Sequence, residues 1–325
     1  MSHDHDHAAG SKPAPPVALE RQAGRGKLLF FDCFSGVAGD MTVAALLDLG
    51  VPLAIIEEAL ETLPVEGYAI QVTQASDSGI AATGFDVNVE ASQPERSFAS
   101  INALLEAAPL DGPTRTLAKI IFRRLGEAEA AAHQVPLNDV HFHEVGAVDA
   151  IVDVVAAAAG LSYLGADVVV SPLPMGRGLV KARHGVLPLP APATVHCLSG
   201  APTYGVDLDA ELVTPTGAAI VTSVAQRYEP WPAIVPEHIG FGAGHRKLPD
   251  RPNLLRLVLG SPTGPRSTAP GVGTHLVIEA NVDDMTGELA GHALSALLDA
   301  GAVDAWVSPI TMKKGRPALT VAALA

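Results

Sequence analysis

The sequence predicts a mixed α/β domain followed by the opening of a second, βαβ-type module, and three observations carry that prediction. An apolar run at Leu28–Phe31 leads through Gly36 and Gly39 into a helical pattern, the order strand, glycine turn, helix. Helical and strand patterns alternate after His143. Residues Gly260 to Thr274 collect Gly, Pro, Ser and Thr with almost no apolar periodicity, which is the composition of a linker. The 325 residues are 48% hydrophobic and 17% charged, enough to bury a sizeable core and long enough for about two domains.

Each element has its own local reason. Residues 1–26 carry His3, Asp4, His5, Asp6 and His7 ahead of Pro, Gly and Ala, and are expected to be an unstructured tail. The folded part is expected over residues 27–260. After the first strand, a helix runs from Asp40 to its stop at Gly50, and Pro52 opens another that ends near Leu63. Period-two alternation in Tyr68–Thr73 and Phe85–Glu90, with Ser78-Gly79 between, reads as an antiparallel pair. Helical patterns follow at Phe98–Ala107 and Pro113–His133, and an Ala/Val-rich helix ends near Gly165. A strand at Val168–Val170, helices near Pro192–Leu198 and Pro215–Gln226, and strands near Ile234–Phe241 and Leu254–Leu259 complete the domain. Beyond a linker at 261–274, the segment 275–325 offers a strand (His275–Asn281), a helix (Gly287–Ala300) and a strand (Ala302–Val307). The apolar run Leu319–Ala325 has no turn or polar tail after it, so this sequence is expected to be either truncated or the first product of a split gene that needs a complementary chain. There is no internal repeat.

Composition narrows the function classes. Thirty-five acidic against 21 basic side chains leave a net charge of −14, which argues against binding nucleic acid or anionic membranes nonspecifically; an anionic ligand would need a local basic pocket. Cys33 and Cys197 are too few for a disulfide framework, and neither belongs to a CxxC pair. The most apolar stretch, Val145–Val170, is broken by Asp149, Asp153 and Asp167, and no basic-then-apolar leader opens the chain. A cytoplasmic location is expected.

Five clusters carry candidate chemistry. In the glycine turn, Cys33 beside a helix N-terminus reads either as an activated thiolate or as a small buried residue. Asp32 and Asp40 read as cation ligands, Asp40 alternatively as a helix cap. In His141-Phe142-His143-Glu144, an extended chain puts the two imidazoles on one face and Glu144 on the other, donors that suit nickel, zinc or iron, or a pair that merely fixes a loop. Asp149 and Asp153, four apart on an apolar helix, need a cation, donors or an Arg nearby. Arg177, Lys181, Arg183 and His184 form one basic cluster and His245, Arg246 and Lys247 another, with Thr214-Pro215-Thr216-Gly217 between them as a helix start. Together they read as a phosphate or carboxylate site, or singly as surface charges. Last, Asp283 and Asp284 follow one strand and Lys313, Lys314 and Arg316 follow the next. That division of labour suits a divalent ion and the phosphates of a nucleoside triphosphate.

Phe31–Met41 (FDCFSGVAGDM), His141–Asp149 (HFHEVGAVD), His184–Thr194 (HGVLPLPAPAT), Glu211–Ala219 (ELVTPTGAA), Arg251–Arg256 (RPNLLR), Asp283–Met285 and Met312–Pro317 (MKKGRP) together resemble the LarC family. Members insert nickel into pyridinium-3,5-bisthiocarboxylic acid mononucleotide by a CTP-dependent cyclometallation, a lyase-class reaction that makes the nickel-pincer cofactor of lactate racemase-type enzymes. The resemblance runs from about Lys27 to the C-terminus. It implies an α+β, ferredoxin-like C-terminal domain that binds CTP with Mg(II) or Mn(II) through Asp283, Asp284, Lys313, Lys314 and Arg316. It also implies a catalytic group of Asp32, Cys33 and Asp40, nickel ligands among His141, His143, Glu144 and Asp149, and an anion site of Arg177, Lys181, Arg183, His184, Thr214, Thr216 and Arg246. A recipient enzyme and a homo-oligomer or complementary C-terminal chain are the implied protein partners. One departure is that Glu90–Arg96 stands where members often carry a histidine-rich loop. A noncatalytic nickel chaperone, a metal-dependent hydrolase and a structural subunit are the rival readings.

Overall fold

The computed structural model describes residues 17–90, 96–142, 148–182, 185–263 and 277–324, in two compact units that divide at Thr263 and Gly264. The first unit opens with β1 (Leu28–Asp32), α1 (Gly39–Leu49), α2 (Leu53–Glu61), β2 (Tyr68–Asp77), β3 (Ile80–Val89), β4 (Arg96–Ser97), α3 (Phe98–Ala107) and α4 (Gly112–His133). There follow β5 (His141–Phe142), α5 (Val148–Leu164), β6 (Asp167–Val170), β7 (Leu173–Met175), β8 (Leu179–Ala182), β9 (Gly185–Pro188), α6 (Pro192–Cys197) and β10 (Thr203–Gly205). It closes with α7 (Pro215–Val224), β11 (Arg227–Tyr228), β12 (Ile234–Ala243) and β13 (Leu254–Pro262). The second unit is β14 (Val277–Val282), α8 (Gly287–Asp299), β15 (Asp304–Met312) and β16 (Arg316–Leu324).

A seven-stranded mixed sheet in the order β11-β6-β1-β13-β12-β3-β2 organises the first unit. Strands β11, β6 and β1 are parallel, and β13 then runs antiparallel between β1 and β12. Alternation along β1 sends Leu29 and Phe31 into the main core, shared with the helices, while Leu28 and Phe30 enter a small second cluster with Val169 and Val258. The helices therefore gather over one face. Helix α5, apolar nearly all round, is buried between α1, α2 and α4. Helix α1 sits so close to β12 that a Cβ on Gly242 would fall 2.0 Å from the Met41 carbonyl oxygen.

Beyond several short strands that periodicity did not mark, sequence and structure part company as follows. The expected tail through residue 26 yields at Leu19, which is buried and donates its N–H to Gly50 O at 2.8 Å, while Gln22 and Gly24 tie to the end of α5. The segment after Arg177 is a short hairpin, β8–β9, where proline spacing indicates only an extended run. Strand β13 reaches Pro262, two residues into the expected linker, because β12 supplies partners that far. Among the described residues no helix is long and apolar enough to cross a membrane.

In the second unit, β16 pairs antiparallel with both β14 and β15, giving the order β14-β16-β15. The outer strands consequently run parallel, joined by α8.

Candidate functional site

The turn after β1 is shaped by its glycines and by α7. Gly36 takes φ +104°, and a Cβ there would lie 1.9 Å from Leu212 O; Val37 N donates to Leu212 O and Thr214 N to Val37 O, both within 3.1 Å. The N-terminus of α7 is thus set against the turn. Asp32, 8% exposed, is gripped by both Nε (2.9 Å) and Nη2 of Arg256, whose guanidinium also lies over Trp231 at 5.0 Å and Phe34 at 5.8 Å. This carboxylate is committed to a partner that spacing alone did not reveal.

Cys33 lies inside the turn, out of reach of solvent. It is fully buried, and desolvation first, then the Asp32 charge, push its thiol far above the usual range, against a hydrogen bond from Ser171 that acts the other way. Burial likewise pushes Cys197 up to about 12. The native protein should resist iodoacetamide at pH 8 at both cysteines and react at both in denaturant; rapid native labelling of Cys33 would contradict this burial.

Asp40 begins α1 and meets a different set of groups. Its Oδ1 accepts from Met41 N at 2.8 Å, and its Oδ2 lies 3.0 Å from His245 Nε2. His245 Nδ1 is 3.5 Å from Asp86 Oδ1, and Asp40 first, by hydrogen bond, holds the imidazolium form above its ordinary range. Asp153, from α5, lies on Gly39 and accepts from Asp40 N–H. Desolvation, then Asp40, then Asp149 raise its carboxyl well above normal, and its buried Oδ1 has no hydrogen-bond partner among the described residues. Asp149, one turn earlier, is exposed and accepts from Ala150 N at 2.9 Å. The two carboxylates of α5 therefore diverge, and Asp153 meets a second acid where an Arg was one expectation.

The basic clusters converge in part. Two adjoining cavities of about 350 Å³ each share Arg177, Asp209 and Arg246; Lys181 lines the first, and Asp207 and Lys247 the second. Arg177 is already paired, at 2.5 Å to Asp207 and 3.1 Å to Asp209. Lys181 and Arg246 have no carboxylate within ion-pair distance among the described residues. Thr214 and Thr216 do not line either cavity: Thr214 Oγ1 caps its own helix through Gly217 N at 3.1 Å, and both residues start the α7 segment that abuts the glycine turn. Arg183 and His184 lie outside the described residues.

His141 is exposed because the next residue, Phe142, is buried in T-shaped contact with Phe122, so the alternation of β5 turns the imidazole outward. His143 and Glu144 lie outside the described residues, as do His3, His5 and His7. Among the described residues, no group of three or more His, Cys, Asp or Glu side chains could hold a metal ion. In the second unit, β14 and β15 end on the same side of the sheet. Exposed Asp283 and Asp284 thereby share one end of it with exposed Lys313, Lys314 and Arg316 and with the N-terminus of α8.

The family model described as nickel insertion protein matches residues 29–325. The chain belongs to the nickel insertion protein family. It is 48% identical over 301 residues to a relative from Citrifermentans bemidjiense named for nickel insertion, covering 92% of this chain and 77% of the relative. Similarly named relatives from Geobacter sp. and Pelobacter propionicus are 47% and 48% identical over 302 and 300 residues, with 92% and 91% of this chain and 77% and 75% of theirs covered. No solved structure is a significant match.

Within this family member, sequence reasoning overlooked Asp86, Asp207, Asp209 and Trp231. The alternation in Val206-Asp207-Leu208-Asp209 was the available signal: Leu208 is buried while both acids are exposed beside Arg177. Asp86 and Trp231 had none, because their partners come from distant elements.

Proposed function

We propose that this chain inserts Ni(II) into pyridinium-3,5-bisthiocarboxylic acid mononucleotide in a CTP-dependent cyclometallation, forming the nickel-pincer cofactor that a lactate racemase-type recipient enzyme then takes up. One observation carries the reading furthest. Arg177, Lys181 and Arg246, from two separate basic segments, line adjoining cavities in a protein of net charge −14, and a ligand bearing phosphate and thiocarboxylates needs such a local reversal of field. We assign His141 and Asp149, with His143 and Glu144 of the intervening segment, to the nickel substrate, since imidazole and carboxylate suit a borderline divalent ion. Asp32, bound to Arg256, and buried Cys33 are read as positioning residues of the turn.

The second unit fits a metal–nucleotide in its donor chemistry. Asp283 and Asp284 supply hard oxygen donors for Mg(II) or Mn(II), and Lys313, Lys314 and Arg316 supply cations for the phosphates. The bound ion would neutralise phosphate charge.

The test mixes the purified chain with Ni(II), the mononucleotide, CTP and Mg(II). The expected result is a nickel-bearing ligand, detected by mass spectrometry, formed only with CTP and accompanied by CTP consumption. Nickel binding with CTP untouched would reduce the protein to a carrier and reject the proposal.

A further inference from the structure

We infer that Trp231, held in place by Arg256 and Phe30, is the platform on which the pyridinium ring of the mononucleotide stacks. The inference rests on the insertion reading for the identity of the ligand, and on geometry for the position.

The sheet sets the place. Strands β1, β6 and β11 run parallel, and Asp32, Ser171 and Trp231 stand at or just past their carboxyl ends. Open α/β sheets take their ligands outside the carboxyl ends of parallel strands. Arg256 lies opposite Asp32 in the β1–β13 register, so its guanidinium reaches the same end of the sheet.

Trp231 is 48% exposed, yet it is not a loose surface ring. Fully buried Phe30 meets it edge-on, with centroids 5.1 Å apart and planes at 73°, and the Arg256 guanidinium stands 5.0 Å from the indole centroid. An aromatic side chain fixed in this way loses little further freedom when a ligand stacks on it. The charge beneath it is also answered. Asp32 accepts from both Nε and Nη2 of Arg256, so the pair is neutral overall and does not repel a second cation from the indole. A flat, positively charged ring is the ligand that gains most from an electron-rich indole face in an acidic protein.

The surroundings suit the rest of such a ligand. Tyr204 is 43% exposed; after burial, which raises its phenol, the Arg251 charge acts on it in one direction and the Asp32 charge in the other, so its ring lies on the platform's side of the sheet. Tyr204 and Asp209 belong to one loop segment, and Arg246, Arg251 and Arg256 to the connection from β12 into β13. Those two segments therefore furnish both the anion-lined cavities and the surroundings of Trp231. A mononucleotide, with phosphate at one end and a pyridinium at the other, matches that pairing.

Trp231 and Trp306 are the two tryptophans of the chain, so a Trp306→Phe protein reports on Trp231 alone. Titration with nicotinic acid mononucleotide, a pyridinium ribose phosphate, should quench its fluorescence saturably. By calorimetry Trp231→Leu, which keeps apolar cover over Phe30, should bind this probe about tenfold more weakly, and Trp231→Phe within about threefold of the parent. Ribose 5-phosphate, which lacks the ring, should bind parent and Trp231→Leu alike. Unsaturable quenching, parental affinity for the pyridinium probe in Trp231→Leu, or an equal loss for ribose 5-phosphate would overturn the platform. If the parent forms no nickel-bearing mononucleotide while the quenching saturates, the insertion reading fails and the platform stands; product formation by Trp231→Leu with parental KM for the mononucleotide gives the reverse.

Discussion

Replacing Lys181 and Arg246 together by Met is expected to weaken binding of the mononucleotide by about a hundredfold or more. Each charge-assisted hydrogen bond to an anionic ligand contributes about 1.5–3 kcal/mol, discounted at these sites by solvent. The two cations are the right pair to remove because neither is neutralised by an acid among the described residues, whereas Arg177 is held by Asp207 and Asp209. The same geometry predicts an effect of opposite sign: Asp209→Asn releases Arg177 from one competing carboxylate and should tighten the ligand severalfold. Affinity should fall as salt rises, since the screening length shrinks from about 10 Å at 0.1 M to about 3 Å at 1 M. Isothermal titration of the three proteins measures all of this. Parental affinity in the double variant would remove the cleft from the binding site.

Gly242→Val is expected to be the most destabilising exchange on the scaffold. Strand β12 meets α1 backbone to backbone: a Cβ on Gly242 would lie 2.0 Å from Met41 O and 2.7 Å from Ala45 N, and one on Gly240 2.4 Å from Ala45 O and from Leu49 N. No side-chain rotation relieves these contacts, because every nearby atom at Gly242 belongs to helix backbone. Overpacking of this kind costs about 3 kcal/mol or more, which lowers the melting temperature of a unit this size by about 10 °C. Gly112→Ala is the control: nothing lies within 4 Å of its added Cβ, and at the start of α4 it should be neutral or stabilising by up to about 1 kcal/mol. A Gly242→Val protein that melts with the parent would show that α1 is free to shift.

The order of strands and helices was legible because it is written in local periodicity. Leu28–Phe31, the Ser78-Gly79 turn, the helix stop at Gly50 and the apolar α5 all report their own backbone state through neighbouring residues. The mixed α/β class, the second module's strand–helix–strand order and the convergence of its acidic and basic ends follow from the same signal plus the rule that strands joined through a helix run parallel.

Tertiary structure alone decided which groups meet. Arg256 reaches Asp32 because β13 lies antiparallel beside β1, a pairing between segments far apart in the chain. Lys181 and Arg246 line one cavity only after β8 and the end of β12 are brought together. Asp153 turns to Gly39 while Asp149 faces solvent, although helical spacing puts both on one face, because α5 packs against the start of α1 at one of these positions and not at the other. Cys33, whose place in the turn admitted two readings, is a buried thiol whose backbone N–H is tied to Ser171 just past β6. Periodicity ranks residues by the face they occupy; what lies across that face, and whether water reaches it, depends on sheet order and helix packing, and those set the charge state and partners from which chemistry follows.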